Sequence, residues 1–189
     1  MTEIGSSQWR RDMRADLIAR RQEIPVAQRN KADAKLAHML GEYIGDVAGK
    51  VVSIYWPFRG EPDLRTFAKA CRQQGAVIAL PVVVEKAAPL AFREWADGMS
   101  LDRGVWNIPI PPADAPKVMP DIVIAPVVGA DADNYRLGYG GGFFDRTLEQ
   151  LRQSKAAKAI GVGYAEQRME TIYPHKYDIP MDQMILVDT

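Results

Sequence analysis

The residues best suited to chemistry lie in one stretch, DADNYRLGYGGGFFDRTLEQL over 131–151. Four of the five residues from Gly138 to Gly142 are glycine, and Arg136, Asp145 and Arg146 flank them. So permissive a backbone reaches left-handed dihedrals and can turn successive N–H groups toward one anion. A helix patterned by Phe144, Leu148 and Leu151 begins behind the glycines and adds the partial positive charge of its N-terminus. The two arginines are candidate phosphate partners, and Asp145 is placed to hold a Mg2+ that bridges phosphates. The spacing matches neither GxxxxGK[ST] nor GxGxxG. Taken alone, the glycines also fit a tight strand-to-helix turn with no ligand.

The surrounding elements must hold this loop in place. Before Gly45 the chain reads as two helices broken at Pro25. Ser7 can cap the first, whose apolar stripe is Trp9, Met13 and Leu17, while Arg10, Arg14, Arg20 and Arg21 make the opposite face. Leu36, Met39, Leu40 and Tyr43 pattern the second. Beyond it, strands are expected at 51–55, 77–84, 90–95, 121–128, 159–164 and 184–188, with a helix from Pro62 to Gln74. Runs of β-branched residues without alternation suit strands covered on both faces. The predicted fold is therefore a single three-layer α/β domain over 1–189, with a mostly parallel sheet in 51–189 and two N-terminal helices (1–45) packed on it. The Pro-rich stretch at 108–120 is expected to be a crossover inside that sheet.

Composition narrows the function. At 189 residues the chain is long enough for one real core. Its 24 Lys+Arg against 24 Asp+Glu leave no basic excess for nonspecific nucleic-acid binding. The longest apolar runs are too short to span a bilayer, and the N-terminus lacks a secretory pattern, so a cytoplasmic protein with no membrane or nucleic-acid partner is expected. One cysteine, Cys71, fits a reducing compartment and reads as a small buried hydrophobe. With two histidines beside it no Cys/His zinc site can be built, so any metal is oxygen-ligated. The neutral total hides local charge: residues 1–36 hold eight Lys/Arg and five Asp/Glu.

The string RLGYGGGFFDR resembles the signature of the 5-formyltetrahydrofolate cyclo-ligase (5,10-methenyltetrahydrofolate synthetase) family. The resemblance extends to RRDMR and RRQEIP near the N-terminus, YWPFRGEPD at 55–63, GVWNIP at 104–109, and GVGYAEQ through YDIPMD at 161–182. It implies ATP-dependent, Mg2+-dependent conversion of 5-formyltetrahydrofolate to 5,10-methenyltetrahydrofolate, with ADP and phosphate released. A formamide oxygen leaves badly, phosphorylation makes it leave well, and ring closure by the folate's N-10 nitrogen follows. Such a step needs positioning and charge stabilisation more than a protein nucleophile.

By the same resemblance, ATP would be bound by Arg10, Arg11, Asp12, Met13 and Arg14, and by Arg136, Leu137, Gly138, Tyr139, Gly140, Gly141, Gly142, Phe143 and Phe144. Reduced folate would meet Trp56, Glu61 and the Tyr139–Phe143 part of the loop. Asp145 and Asp178 would hold Mg2+, with Arg136 and Asp145 the catalytic pair, and the enzyme would act as a monomer. On residue type alone, Arg10 and Arg14 equally suit a solvated helix face, Trp56 the core, and Glu61 a charge at the following helix start. Tyr55, Trp56 and Phe58 together could wall a flat pterin. Four positions depart from the family: Arg10 replaces a common Lys, Gly129 and Ala130 a bulkier pair, and Tyr177 a frequent His. The last three are expected near the site. A same-fold paralogue for another formyl or amide substrate, and a non-catalytic folate or nucleotide binder, are the alternatives.

Overall fold

The computed structural model describes residues 3–189, with side chains described from Ser7 onward. Two helices, α1 (Glu3–Glu23) and α2 (Val26–Ile44), open the chain. Pro25 lies between them, and its carbonyl accepts the N–H groups of Gln28 and Arg29 to start α2. Because α1 begins at Glu3, Ser7 lies inside the helix and does not cap it. The remaining elements are β1 (Val51–Ser53), α3 (Arg65–Gln73), β2 (Val77–Val82), β3 (Ala91–Glu94), β4 (Asp102–Arg103), β5 (Pro109–Ile110), β6 (Ile122–Pro126), β7 (Gly129–Ala130), β8 (Arg136–Leu137), α4 (Phe143–Ser154), β9 (Lys158–Tyr164) and β10 (Gln183–Val187).

All six expected strands enter one sheet, ordered β10-β9-β6-β1-β2-β3. Every pairing is parallel except that of β3, which runs antiparallel to β2 at the edge. Alternate residues of β6 serve opposite faces. Ile122 and Ile124 join α2 and α3 through Leu36, Leu40, Leu64 and Phe67. Val123 and Ala125 join α4 through Leu148 and Leu151. Three layers result, and each fully buried Leu or Ile contributes roughly 1.5–3 kcal/mol. In a third cluster Leu17 of α1 packs on Val128, Leu137 and Ile172, so α1 lies over the strand ends. No helix among the described residues is long and apolar enough to cross a membrane.

Several elements are shorter than the apolar runs that predict them. β1 stops at Ser53 and β6 at Pro126, although one more residue of each still bonds to the sheet, the Ile54 N–H to the Ala79 carbonyl and the Val127 N–H to the Val162 carbonyl. Past β6, Gly129–Ala130 pairs with Arg136–Leu137 in a small hairpin that the pattern of 131–137 does not announce. Its turn is organised by Asp131, whose Oδ1 accepts the N–H groups of Asp133 and Tyr135. α3 starts at Arg65, three residues after Pro62, whose carbonyl accepts the Tyr55 hydroxyl.

Candidate active site

From β1 the chain crosses to β2 on one side, while β6, β9 and β10 lie on the other. That reversal makes a crevice at the carboxyl ends of β1 and β6, where open α/β sheets bind ligands. A cleft of about 260 Å3 lies there, lined by residues that follow β1 (Tyr55, Trp56, Phe58, Glu61), by the β2 end, by the glycine loop and by Arg10 and Arg14 of α1.

One half of the cleft is aromatic. Phe58 and Trp106 stack with ring centroids 5.9 Å apart and planes 7° from parallel. Tyr139 lies 5.6 Å from Trp106 and 6.0 Å from Phe58. Trp56 also lines the cleft and packs edge-on against Trp95 at 6.0 Å. Trp106 sits in the turn between β4 and β5 with φ 56°, and Asn107 follows at 61°. Left-handed backbone at bulky residues is strained and is concentrated at functional sites. Here it carries an indole, 54% exposed, to the cleft mouth.

A carboxyl closes this half. Glu61 is 6% exposed. Its Oε2 accepts the Phe58 N–H at 2.9 Å, and its Oε1 accepts the Tyr139 hydroxyl at 3.0 Å. Burial pushes its pKa up to about 7, against the opposing pull of Arg21, the Phe58 N–H and Tyr139. Since α3 starts only at Arg65, Glu61 is not in its first turn, and the reading of Glu61 as a charge at that helix start does not hold.

The other half is cationic. Arg136, on β8, pairs with Asp145 of α4 at 3.0 Å and donates to the Ile179 carbonyl at 3.1 Å. Asp145 Oδ1 also accepts the Ile179 N–H. Burial lowers the Arg136 pKa, opposed by Asp145. Arg10 reaches Asp178 Oδ2 at 2.5 Å and the Tyr173 carbonyl at 2.7 Å. Burial opposes ionisation of Asp178, but hydrogen bonds from Arg10 and the His175 N–H outweigh it and hold that carboxyl below its usual value. Arg10 is buried, yet its Nε has no hydrogen-bond partner. Arg14 Nε donates to the Gly138 carbonyl at 2.7 Å, and burial, then repulsion from Arg10, lowers its pKa.

The glycine loop divides the halves. Gly140 has φ 93°, and a Cβ there would come within 3.3 Å of the Arg14 guanidinium carbon. Gly142, at φ 63°, is the N-cap of α4. Arg146 donates to the Gly141 carbonyl at 2.5 Å and lies over the Phe143 ring.

Most residues suggested by sequence meet here. Arg10, Arg14, Trp56, Glu61, Arg136, Gly138 to Asp145 and Asp178 all line the one cleft. Arg11 and Asp12 are exposed on α1 and do not line it, while Met13 packs into the cluster around Leu17 and Val128. Leu137 is buried in the same cluster, so its side chain serves the core. Gly129 and Ala130 do not line the cleft themselves, but Ala130 pairs with Arg136, which does. A Cβ at Gly129 would stand 2.4 Å from Met169 Sδ and 2.9 Å from Leu17 Cδ1, so packing under α1 accounts for the glycine. Tyr177 adjoins Asp178 in sequence, but its side chain is 75% exposed. Cys71 is buried, with its thiol pushed up to about 11 by that burial.

Two residues escape the sequence reading. Trp106 carries only the faint signal of an aromatic in a turn. Arg21, placed above on the face opposite the Leu17 stripe, is 1% exposed. The spacing contains the clue: 9, 13, 17 and 21 are four apart, so Arg21 shares the Leu17 face.

The family model for 5-formyltetrahydrofolate cyclo-ligases matches residues 6–187. The cyclo-ligase of Haemophilus influenzae is 25% identical over 186 residues, 96% of this chain and 99% of that one. That of Escherichia coli K12 is 29% identical over 171 residues, 88% and 93% of the two chains. Among solved structures, 5,10-methenyltetrahydrofolate synthetase from Aquifex aeolicus superposes with TM-score 0.78 at 24% identity, over 94% of this chain and 89% of that one. The synthetase from Mycoplasma pneumoniae does so with TM-score 0.74 at 20% identity, over 93% and 97%. With the family match spanning nearly all of the chain, and the fold shared with both synthetases, this protein is an enzyme of the 5-formyltetrahydrofolate cyclo-ligase family.

Proposed function

We propose that the enzyme converts 5-formyltetrahydrofolate and ATP to 5,10-methenyltetrahydrofolate, ADP and phosphate, in a Mg2+-dependent reaction carried out by one domain, 1–189, acting as a monomer. The observation that carries this reading is the two-part cleft. An aromatic wall with a buried carboxyl suits a flat amino-pterin, and a cluster of arginines a few residues away suits a polyphosphate. Arg10, Arg14 and Arg136, all lining the second part, support an anion there.

Each residue then has a task. Trp56, Phe58 and Tyr139 hold the pterin face, and Glu61 accepts from its N–H edge. Arg14, Arg136 and the Gly138–Gly142 backbone orient the triphosphate toward the formyl oxygen. That oxygen bonds to the terminal phosphorus as the bond to ADP breaks. The folate's N-10 then bonds to the formyl carbon and loses its proton, and phosphate departs with the former formyl oxygen. No protein nucleophile takes part, and the arginines stabilise charge on the moving phosphoryl group. Mg2+ fits the donors available. It is usually held by one or two carboxylates together with phosphates and water. Asp145 and Asp178 supply such a pair on one cleft, and no larger metal-ligating cluster occurs among the described residues. Bound there, it would neutralise phosphate charge.

The test is incubation with 5-formyltetrahydrofolate, ATP and Mg2+, following methenyl absorbance together with ADP. Stoichiometric formation of both is expected. Folate binding without turnover would instead identify a binder, and ADP release only with other amides a paralogue.

A further inference from the structure

Arg21 is a charged side chain buried completely, on the face of α1 turned toward the cleft floor. Burying such a group is costly unless its donors are satisfied. Nε donates to the Arg59 carbonyl at 3.0 Å, Nη1 to the Val127 carbonyl at 3.0 Å, and Nη2 to the Tyr139 hydroxyl at 2.7 Å. Nη2 also lies 3.9 Å from Glu61 Oε1. Proton direction follows from residue type. A guanidinium can only donate, so the Tyr139 oxygen accepts from Arg21 and its single proton is left for Glu61. The second Glu61 oxygen is already committed to the Phe58 N–H. The carboxyl thereby has one orientation and one role, that of acceptor.

We propose that Arg21 is a positioning residue for the folate half of the site: through Tyr139 it holds Glu61 as a hydrogen-bond acceptor at the aromatic wall. The proposal rests on the folate reading given above. It also accounts for an arginine at a place where an aliphatic residue would continue the Leu17 stripe. The groups that face Glu61 are Arg21 from α1, Tyr139 from the glycine loop, and Tyr55 beyond β1. Burial keeps Glu61 near neutrality in its titration, and Arg21 is the strongest of the groups that favour its ionised form.

Calorimetric titration with 5-formyltetrahydrofolate, and separately with Mg·ATP, across pH 6–9 tests this for the wild type, Arg21→Met, Tyr139→Phe and the double variant. Wild-type folate affinity should rise with pH as Glu61 ionises. In both single variants that rise should move to higher pH, each unit of movement weakening folate binding about tenfold at pH 6–7. Affinity should return toward the wild-type value near pH 9. Mg·ATP affinity of Arg21→Met should stay within about threefold of wild type, and the double variant should be no worse than the poorer single one, since both act along one chain of bonds. An equal loss of folate affinity at every pH, or a parallel loss of folate and ATP, would reduce Arg21 to a structural tie and overturn the proposal. Should Arg21→Met fail to fold, Tyr139→Phe decides alone, because it breaks the same relay while Arg21 remains. A wild type that binds no folate at any pH would overturn the functional reading itself, a failure visible before any variant is compared.

Discussion

Glu61 and Asp145 are both site carboxyls, and their surroundings lead to different experiments. Burial pushes Glu61 up to about 7 from its ordinary 4.5. A raised folded-state value means that the native protein holds a proton that the unfolded chain releases. Its stabilising effect is full below pH 4.5 and is lost as pH rises through 7, by about 3 kcal/mol in all. Glu61→Gln removes this dependence, so urea melts at pH 5 and pH 8 should show the wild type losing about 2.5 kcal/mol more than the variant over that interval. Asp145 pairs with Arg136, which is only 7% exposed. Asp145→Ala would strand that cation and destabilise by roughly 3 kcal/mol, so it is a poor probe of chemistry. Asp145→Asn retains an oxygen for the Ile179 N–H. It should keep the fold and lower turnover by ~10²-fold or more, as loss of one charge-stabilising group does. Circular dichroism with steady-state kinetics checks both halves of that expectation.

Elements show how tightly the loop and its supports are fitted. Gly140→Ala forces a side chain into a left-handed conformation and crowds Arg14 at 3.3 Å. It should destabilise by roughly 1–2 kcal/mol and weaken Mg·ATP binding, read by thermal melts and calorimetry. Gly129→Ala, on β7, collides with Met169 and Leu17 but touches nothing in the cleft. Overpacking of that kind costs about 1–3 kcal/mol, so its melting temperature should fall while KM for both substrates stays unchanged. Element positions were largely legible in the chain. Unbroken apolar runs at 51–55, 77–84 and 121–128 mark buried parallel strands, and the Leu148/Leu151 spacing marks α4. Their ends were not legible. Ile54, Tyr55, Val127 and Val128 are as apolar as the strands before them, so the pattern does not mark where pairing stops; Tyr55 goes on to line the cleft, while Ile54 and Val128 stay in the core. The β7–β8 hairpin stayed hidden because its strands are two residues each, too short for any period to register.

For the molecule as a whole, the cleft joins parts that are far apart in the chain: α1, the segment after β1, the glycine loop and Asp178. A ligand that fills it bridges them all and binds only the folded state. Mg·ATP at a hundred times its dissociation constant should therefore stabilise the protein by about 2.7 kcal/mol, and 5-formyltetrahydrofolate should stabilise it separately. Thermal scans with each ligand alone measure both, and a shift with neither would count against the two-part cleft.

The sequence by itself determined the class of fold, the glycine loop and the family, because these depend on residue types that recur close together. RLGYGGGFFDR is contiguous, and its chemistry can be read without a third dimension. Tertiary structure decided which groups meet. Asp145 and Asp178 come to one cleft, Arg11 and Asp12 stay outside it, and Arg21, ten and more residues from any other site group of α1 except Arg14, turns inward to Tyr139 and Glu61. Charge and hydropathy place an arginine on the surface by default. Only the sum of three hydrogen bonds and a nearby carboxyl, supplied by distant segments, makes its burial favourable.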